Sequence, residues 1–164
     1  MSKILKEITP RAENEMFFAK NTPDDKMEFP LHYHEEYELT LACTGPAQRI
    51  VGGTVENIES EDLSLIGPNV FHCYKKADGF KDKTANLTVI QFNQILSGTV
   101  LLRTSELQPL VKMFAAVEAG GGIKFKKSVI DMVKNDIMTL PVAKGVERIT
   151  LFIKILLTLA TSDA

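Results

Sequence analysis

The sequence is poor in the residues that most often advertise a function. Its two cysteines, Cys43 and Cys73, are too few and too far apart for a disulfide framework or a cysteine zinc cluster. They read as small buried fillers, and a reducing cytoplasm is the expected compartment. A formal net charge of −2 leaves no basic field to draw the chain onto DNA or an anionic membrane. The longest apolar run, "ITLFIKILLTLA", is too short to span a bilayer and carries Lys154 in its middle. The opening residues, "MSKILKEITPRAENE", lack the apolar core and cleavage site of a signal peptide. There is no internal repeat and no low-complexity tract. With 45% apolar and 24% charged residues in a chain of 164, the expectation is one ordinary globular domain with a helical appendage.

What is present changes character near Leu96. Before it, short β-rich runs ("MFFAK", "YELTLACTG", "QRIVGG", "VENI", "EDLSLIGPN", "VFHCYKK", "NLTVIQFN") are punctuated by turn residues, "NTPDD" among them. That pattern predicts a sandwich or barrel. Gly45-Pro46, Gly52-Gly53 and Pro68-Asn69 mark turns, and the charged run "KKADGFKDK" reads as a solvated loop. After Leu96 the period is helical. "SELQPLVKMFAAVEAGGG" opens on Ser105, a candidate cap, and stops at glycines. Val129, Ile130, Val133 and Ile137 share one face of a second helix that ends before Pro141. In "VERITLFIKILLTLA", Ile149, Phe152, Ile153, Leu156 and Ala160 make one apolar face and Leu151, Ile155 and Leu159 a second. A helix apolar nearly all round calls for burial on two sides, one against its own domain and one against a partner subunit or a following domain. A helix-turn-helix is disfavoured for these last two helices, because the second offers too few polar side chains to read bases.

Histidine is scarce, with three in the chain, and the three are grouped by sequence logic. On a strand, His32 and His34 project to one side, and Glu38 shares their parity if register holds. His72 comes from a later strand. Three imidazoles and a carboxylate converging inside a barrel make a site for Zn, Fe, Mn, Ni or Cu with coordination positions left open. Tyr74 shares the parity of His72 and could offer a phenol to a ligand, whereas Cys73 should point away. Either Gln91 or Phe92 faces inward. Arg49 is a weaker candidate, read as ordinary packing or solvent exposure.

The spacing His32-x-His34-x-x-x-Glu38, then Gly45 after six residues, resembles the first motif of the cupins, small double-stranded β-helix (jelly-roll) barrels. "EDLSLIGPNVFH" resembles the second motif at Asp62 and His72, with Glu61 and Asn69 standing where glycine is usual. More narrowly, "HYHEEYELTLACTG", "EDLSLIGPNVFHCY", "LTVIQFN" and the closing helix resemble the N-terminal effector-sensing domain of AraC-type bacterial transcription regulators. The resemblance runs from about Phe17 to the end.

It implies a cupin barrel with an N-terminal arm over residues 1–95, then two or three helices over 96–164 that pack on the barrel and mediate homodimerisation. The implied partner is a small-molecule effector, a sugar or another polar metabolite, with DNA bound only through a domain absent from this chain and no membrane involved. His32, His34, Glu38, His72 and Tyr74 are the expected ligand-binding residues, the first four also the candidate metal ligands; no catalytic residue is assigned. The alternative reading is a small metal-dependent cupin enzyme, a dioxygenase or isomerase, and a non-catalytic carbohydrate-binding module is a third.

Overall fold

A computed structural model of the chain describes residues 4–23, 30–77, 86–93 and 103–162. Among these residues, two five-stranded sheets face each other and three helices cover one of them. The strands are β1 (Leu5–Lys6), β2 (Phe17–Pro23), β3 (His32–Tyr33), β4 (Tyr37–Cys43), β5 (Ala47–Val51), β6 (Thr54–Ile58), β7 (Glu61–Ile66), β8 (His72–Lys76), β9 (Asn86–Phe92) and β10 (Gly122–Lys124). The helices are α1 (Gln108–Gly120), α2 (Lys127–Thr139) and α3 (Gly145–Thr161). One sheet runs β1-β3-β8-β5-β6 and the other β10-β7-β4-β9-β2. This is a jelly-roll barrel followed by helices, as the strand pattern predicts.

The second sheet is buried on both faces, which explains why β4 reads as a near-continuous apolar run. Side chains alternate along a strand. Tyr37, Leu39 and Leu41 face outward with Leu63, Leu65, Ile90, Phe92 and Phe17, and there they share one core with the helices. The helices contribute Phe114 and Val117 of α1, Val129, Ile130, Val133 and Ile137 of α2, and Phe152, Ile155, Leu156 and Leu159 of α3. Phe152 stacks on Phe17 with ring centroids 4.3 Å apart and meets the Phe92 ring edge-on at 5.2 Å. Opposite residues of the same strands face the barrel interior, where polar side chains stand among apolar ones: Glu38 and Thr40 of β4, Asp62 and Ser64 of β7, and Gln91 of β9 are all buried, beside Ala42, Ile66 and Val89.

Local signals account for most boundaries. Asn69 adopts φ 60° in the turn before β8, where asparagine's tolerance of the left-handed region is needed. Gly121, at φ 81°, ends α1. Three expectations need correction. "NTPDD" does not break the chain at Asn21, since β2 continues through Asn21, Thr22 and Pro23; it is an edge strand paired to β9 alone, where proline's missing donor is tolerated. Ser105 does not cap α1 but sits in a short 3₁₀ turn, Ser105–Leu107, and α1 starts with Pro109 in its first turn. The residues after Gly121 do more than stop a helix: β10 pairs antiparallel with β7, and a Cβ on Gly122 would stand 3.1 Å from the Leu65 carbonyl oxygen. Most of "KKADGFKDK" and the transition near Leu96 lie outside the described residues.

Candidate metal centre

The chain brings the four expected ligands together by crossing between sheets. β3 ends at Tyr33, the backbone bends at Glu35 and Glu36, and β4 opens at Tyr37 in the opposite sheet. His32 thus approaches from one side of the barrel and Glu38 from the other. His72 lies directly beside His32, its register partner across β3 and β8. One ligand atom from each of His32, His34, Glu38 and His72 lies within 4.8 Å of every other, and all four residues are buried. Donors about 2.1 Å from one metal ion lie at most about 4.3 Å apart, so small side-chain shifts would close the set.

Hydrogen bonding orients each imidazole for ligation. His32 Nδ1 donates to the Pro30 carbonyl at 2.9 Å, His34 Nδ1 to the Glu36 carbonyl at 3.1 Å and His72 Nδ1 to the Val70 carbonyl at 2.8 Å. A carbonyl only accepts, so each Nδ1 carries the proton and each Nε2 is left to face the centre, the usual outer-shell arrangement of a metal-binding histidine. His34 Nε2 stands 3.0 Å from Glu38 Oε2. An imidazole lone pair and a carboxylate oxygen repel at that distance unless a positive charge, a proton or a metal ion, lies between them. His72 Nε2 is buried 3.5 Å from Glu38 Oε1, without a hydrogen-bond partner. An orphaned acceptor facing a carboxylate fits a metal ligand.

The electrostatics agree. Burial pushes the Glu38 carboxyl up, but His34 and His72 outweigh it and hold the group well below the usual carboxylate range. Burial also pulls His72 down, yet the Glu38 carboxylate more than compensates and leaves it raised. His32 is lowered, first by burial and second by the charge of His72. Thr40 Oγ1 donates to Glu38 Oε1, and Gln91 Nε2 donates to Glu38 Oε2 at 3.1 Å, so the carboxylate is fixed from its own strand and from β9.

A cavity of about 50 Å³ adjoins the cluster, lined by Glu7, Lys20, Glu38, His72, Tyr74 and Gln91 among others. It has room for a hydrated ion or a ligand of a few atoms. Tyr74 lines this cavity, but its hydroxyl is engaged: it donates to Asp62 Oδ2 at 2.9 Å and bonds the Ser64 hydroxyl at 2.8 Å. Gln91, not Phe92, faces inward. Cys73 borders the cavity but is no part of the ligand cluster. Arg49 is neither solvent-exposed nor ordinary packing. It is buried with both Asp62 oxygens at 3.2 and 3.1 Å from Nη1, and it also pairs with Glu56. Sequence reasoning missed Glu7, Thr40 and the Arg49–Asp62 pair. Parity with Glu38 could have found Thr40; nothing in the spacing marks Glu7.

No protein-family model and no curated protein matches the sequence. Similarity appears among solved structures. An apo ToxT variant from Vibrio cholerae superposes with TM-score 0.53 at 14% identity, over 90% of this chain and 55% of that one. Another ToxT structure from Vibrio cholerae gives 0.50 at 13% identity, over 87% and 52%. A cupin 2 conserved barrel domain protein from Rhodopseudomonas palustris gives 0.33 at 15% identity, over 50% and 66%. This chain therefore spans about half the length of the ToxT structures. Among the described residues no helix is long and apolar enough to cross a membrane. The fold, a jelly-roll barrel with appended helices, is shared with the ToxT structures.

Proposed function

We propose that this chain is the small-molecule-sensing and dimerising part of an AraC-type transcription regulator, with DNA bound through a domain outside it. The observation that carries the reading is α3. One side is sunk in the core through Phe152, Ile155, Leu156 and Leu159, while Val146, Ile149 and Ile153 are 76%, 41% and 37% exposed at helical spacing on another. Such a stripe suits a second copy of the same helix better than water. The fold shared with ToxT and the cavity beside the histidine cluster support the sensing half of the reading.

The test is to fuse this chain to a monomeric helix-turn-helix DNA-binding domain and measure binding to paired and single half-sites. Pair-dependent binding that Ile149→Glu with Ile153→Glu abolishes is the expected result. Equal binding to single and paired sites refutes the dimerising role.

A second reading, a small cupin dioxygenase or isomerase, is favoured by the His32, His34, Glu38 and His72 cluster. A metal ion held there would polarise a substrate or activate O₂ or water, and the adjoining cavity would admit a small substrate. Elemental analysis of untagged protein beside His34→Ala decides whether the ligand set is used: near-stoichiometric metal lost in the variant is the expected result.

A further inference from the structure

A second carboxylate stands beside His32 at the rim of the cluster, from a part of the chain that no motif includes. β1 pairs in parallel with β3, Leu5 beside His32 and Lys6 beside Tyr33, and the Glu7 amide donates to the Tyr33 carbonyl at 2.9 Å. This short strand carries the Glu7 side chain into the barrel mouth, where it is 16% exposed. Its Oε2 accepts from Gln91 Nε2 at 2.8 Å and stands 3.6 Å from His32 Nε2. Gln91 Nε2 also donates to Glu38 Oε2 at 3.1 Å. One amide thus holds two carboxylates toward one cavity. The opposite end of that amide, Oε1, is buried without a partner.

Two acids held this close beside three imidazoles call for a divalent cation rather than a single proton. Resting on the metal-site reading, we propose that Glu7 is a fifth protein donor to the metal centre, and that metal binding pins β1 across the barrel mouth. The added carboxylate changes the donor set from three nitrogens and one oxygen to three nitrogens and two oxygens. That set suits Mn(II) or Fe(II), which take more than four ligands and accept carboxylate readily, better than tetrahedral Zn(II). It also gives the N-terminal strand a reason to be ordered. β1 is two residues long, both exposed, and its flanking Lys6–Glu35 ion pair lies at the surface with side chains 51% and 67% exposed. Surface pairs of that kind contribute little. The side chain of this segment that turns inward is Glu7, partly buried at the barrel mouth.

The experiment titrates metal-free wild-type protein and Glu7→Gln with MnCl₂ and, separately, ZnCl₂ by calorimetry, and follows backbone amide exchange at Leu5 and Glu7. Wild type is expected to bind Mn(II) at least about tenfold more tightly than Glu7→Gln, with a smaller difference for Zn(II). Mn(II) should slow exchange at both amides in wild type and at neither in Glu7→Gln. His34→Ala should remove the effect in the wild-type background. Equal Mn(II) affinity in wild type and Glu7→Gln, with unchanged amide exchange, overturns the role of Glu7 and leaves the metal site standing. Wild type that binds neither metal overturns the metal site and the role of Glu7 together.

Discussion

The buried pair at the end of the barrel away from the histidines offers a sharp test of how the interior is held. Asp62 is 1% exposed and Arg49 7%. Asp62 accepts both Arg49 Nη1 contacts and the Tyr74 hydroxyl. Asp62→Asn keeps the shape and one acceptor but removes the charge that faces the guanidinium. Breaking a buried pair by removing one partner costs about 3–5 kcal/mol, because the remaining charge stays desolvated. Two features bear on the expected value. Glu56 still pairs with Arg49, which pulls it toward the lower end, and Lys124, half-exposed and 3.9 Å from Asp62 Oδ1, keeps Glu56 as a partner at 3.5 Å and so does not push it up. About 3 kcal/mol is expected, or a fall of about 6–12 °C in Tm for a chain of this size.

The chain has no tryptophan, so far-UV circular dichroism in urea, not intrinsic fluorescence, is the assay. Asp62→Leu combined with Arg49→Met removes both charges, and its loss should be smaller than the sum of the two single changes by at least about 1 kcal/mol. A loss below about 1 kcal/mol for Asp62→Asn, or strict additivity in the double variant, would show that the guanidinium is not held by Asp62 and would refute the reasoning.

Two further outcomes follow from the same structure. Phe152→Ala empties a site stacked on Phe17 and edge-on to Phe92 and should cost about 3–5 kcal/mol; barrel and helices should then melt together at lower temperature, and a separate, unshifted barrel transition would contradict a shared core. Metal at a hundred times its Kd should add about 2.7 kcal/mol and raise Tm by about 5–11 °C. That rise should shrink as pH falls from 8 to 6, because His72, raised above its ordinary 6.5 chiefly by the Glu38 carboxylate working against burial, holds a proton that metal must displace.

The linkage signs for the metal-free protein run in the matching sense. The raised His72 stabilises the fold below pH 6.5, and that contribution is lost as pH rises through its folded value. The lowered Glu38 stabilises above pH 4.5, lost as pH falls through its own folded value. Both contributions are complete between pH 4.5 and 6.5. His32, lowered by burial first, works against them there, since the unfolded chain takes up that proton first.

The barrel and the convergence of His32, His34, Glu38 and His72 were legible because both rest on local rules: alternation along strands, turn residues between them and a fixed histidine spacing. Yet the parity argument reached this cluster by an incomplete route. His32 and Glu38 do not share a strand; the chain changes sheets at Glu35 and Glu36, and the acid meets the histidines across the interior. The α2 face was legible for the same reason, since Val129, Ile130, Val133 and Ile137 are all buried. On α3 periodicity could not say which apolar face would be covered. Burial takes Phe152 and Leu156 from one expected face and Ile155 and Leu159 from the other, and leaves Ile149 and Ile153 outside. The Arg49–Asp62 pair was illegible because β5 and β7 lie in opposite sheets and meet only across the interior, and Glu7 because its partner is distant in sequence. Gln91 is 84 residues from Glu7, and no periodicity spans such a gap.

Occupancy of the centre can be read out elsewhere only through an element that has two arrangements. β4 looks at first like the route. Glu38 faces the cavity, and its neighbour Tyr37 faces α1, where its hydroxyl bonds Glu118 and its ring packs 5.0 Å from Phe114. That reverse face, however, belongs to a continuous core of buried aromatic and aliphatic side chains reaching through α1, α2 and α3, and a close-packed core resists small displacements rather than amplifying them. β1 differs in each respect. It is short, exposed on its own side chains, paired to one strand, and linked toward the centre through the partly buried Glu7 carboxylate. Its docking is the equilibrium in this fold that a few kcal/mol of metal binding can shift, so a metal-dependent signal should appear first as protection of the N-terminal strand, with α3 held in place.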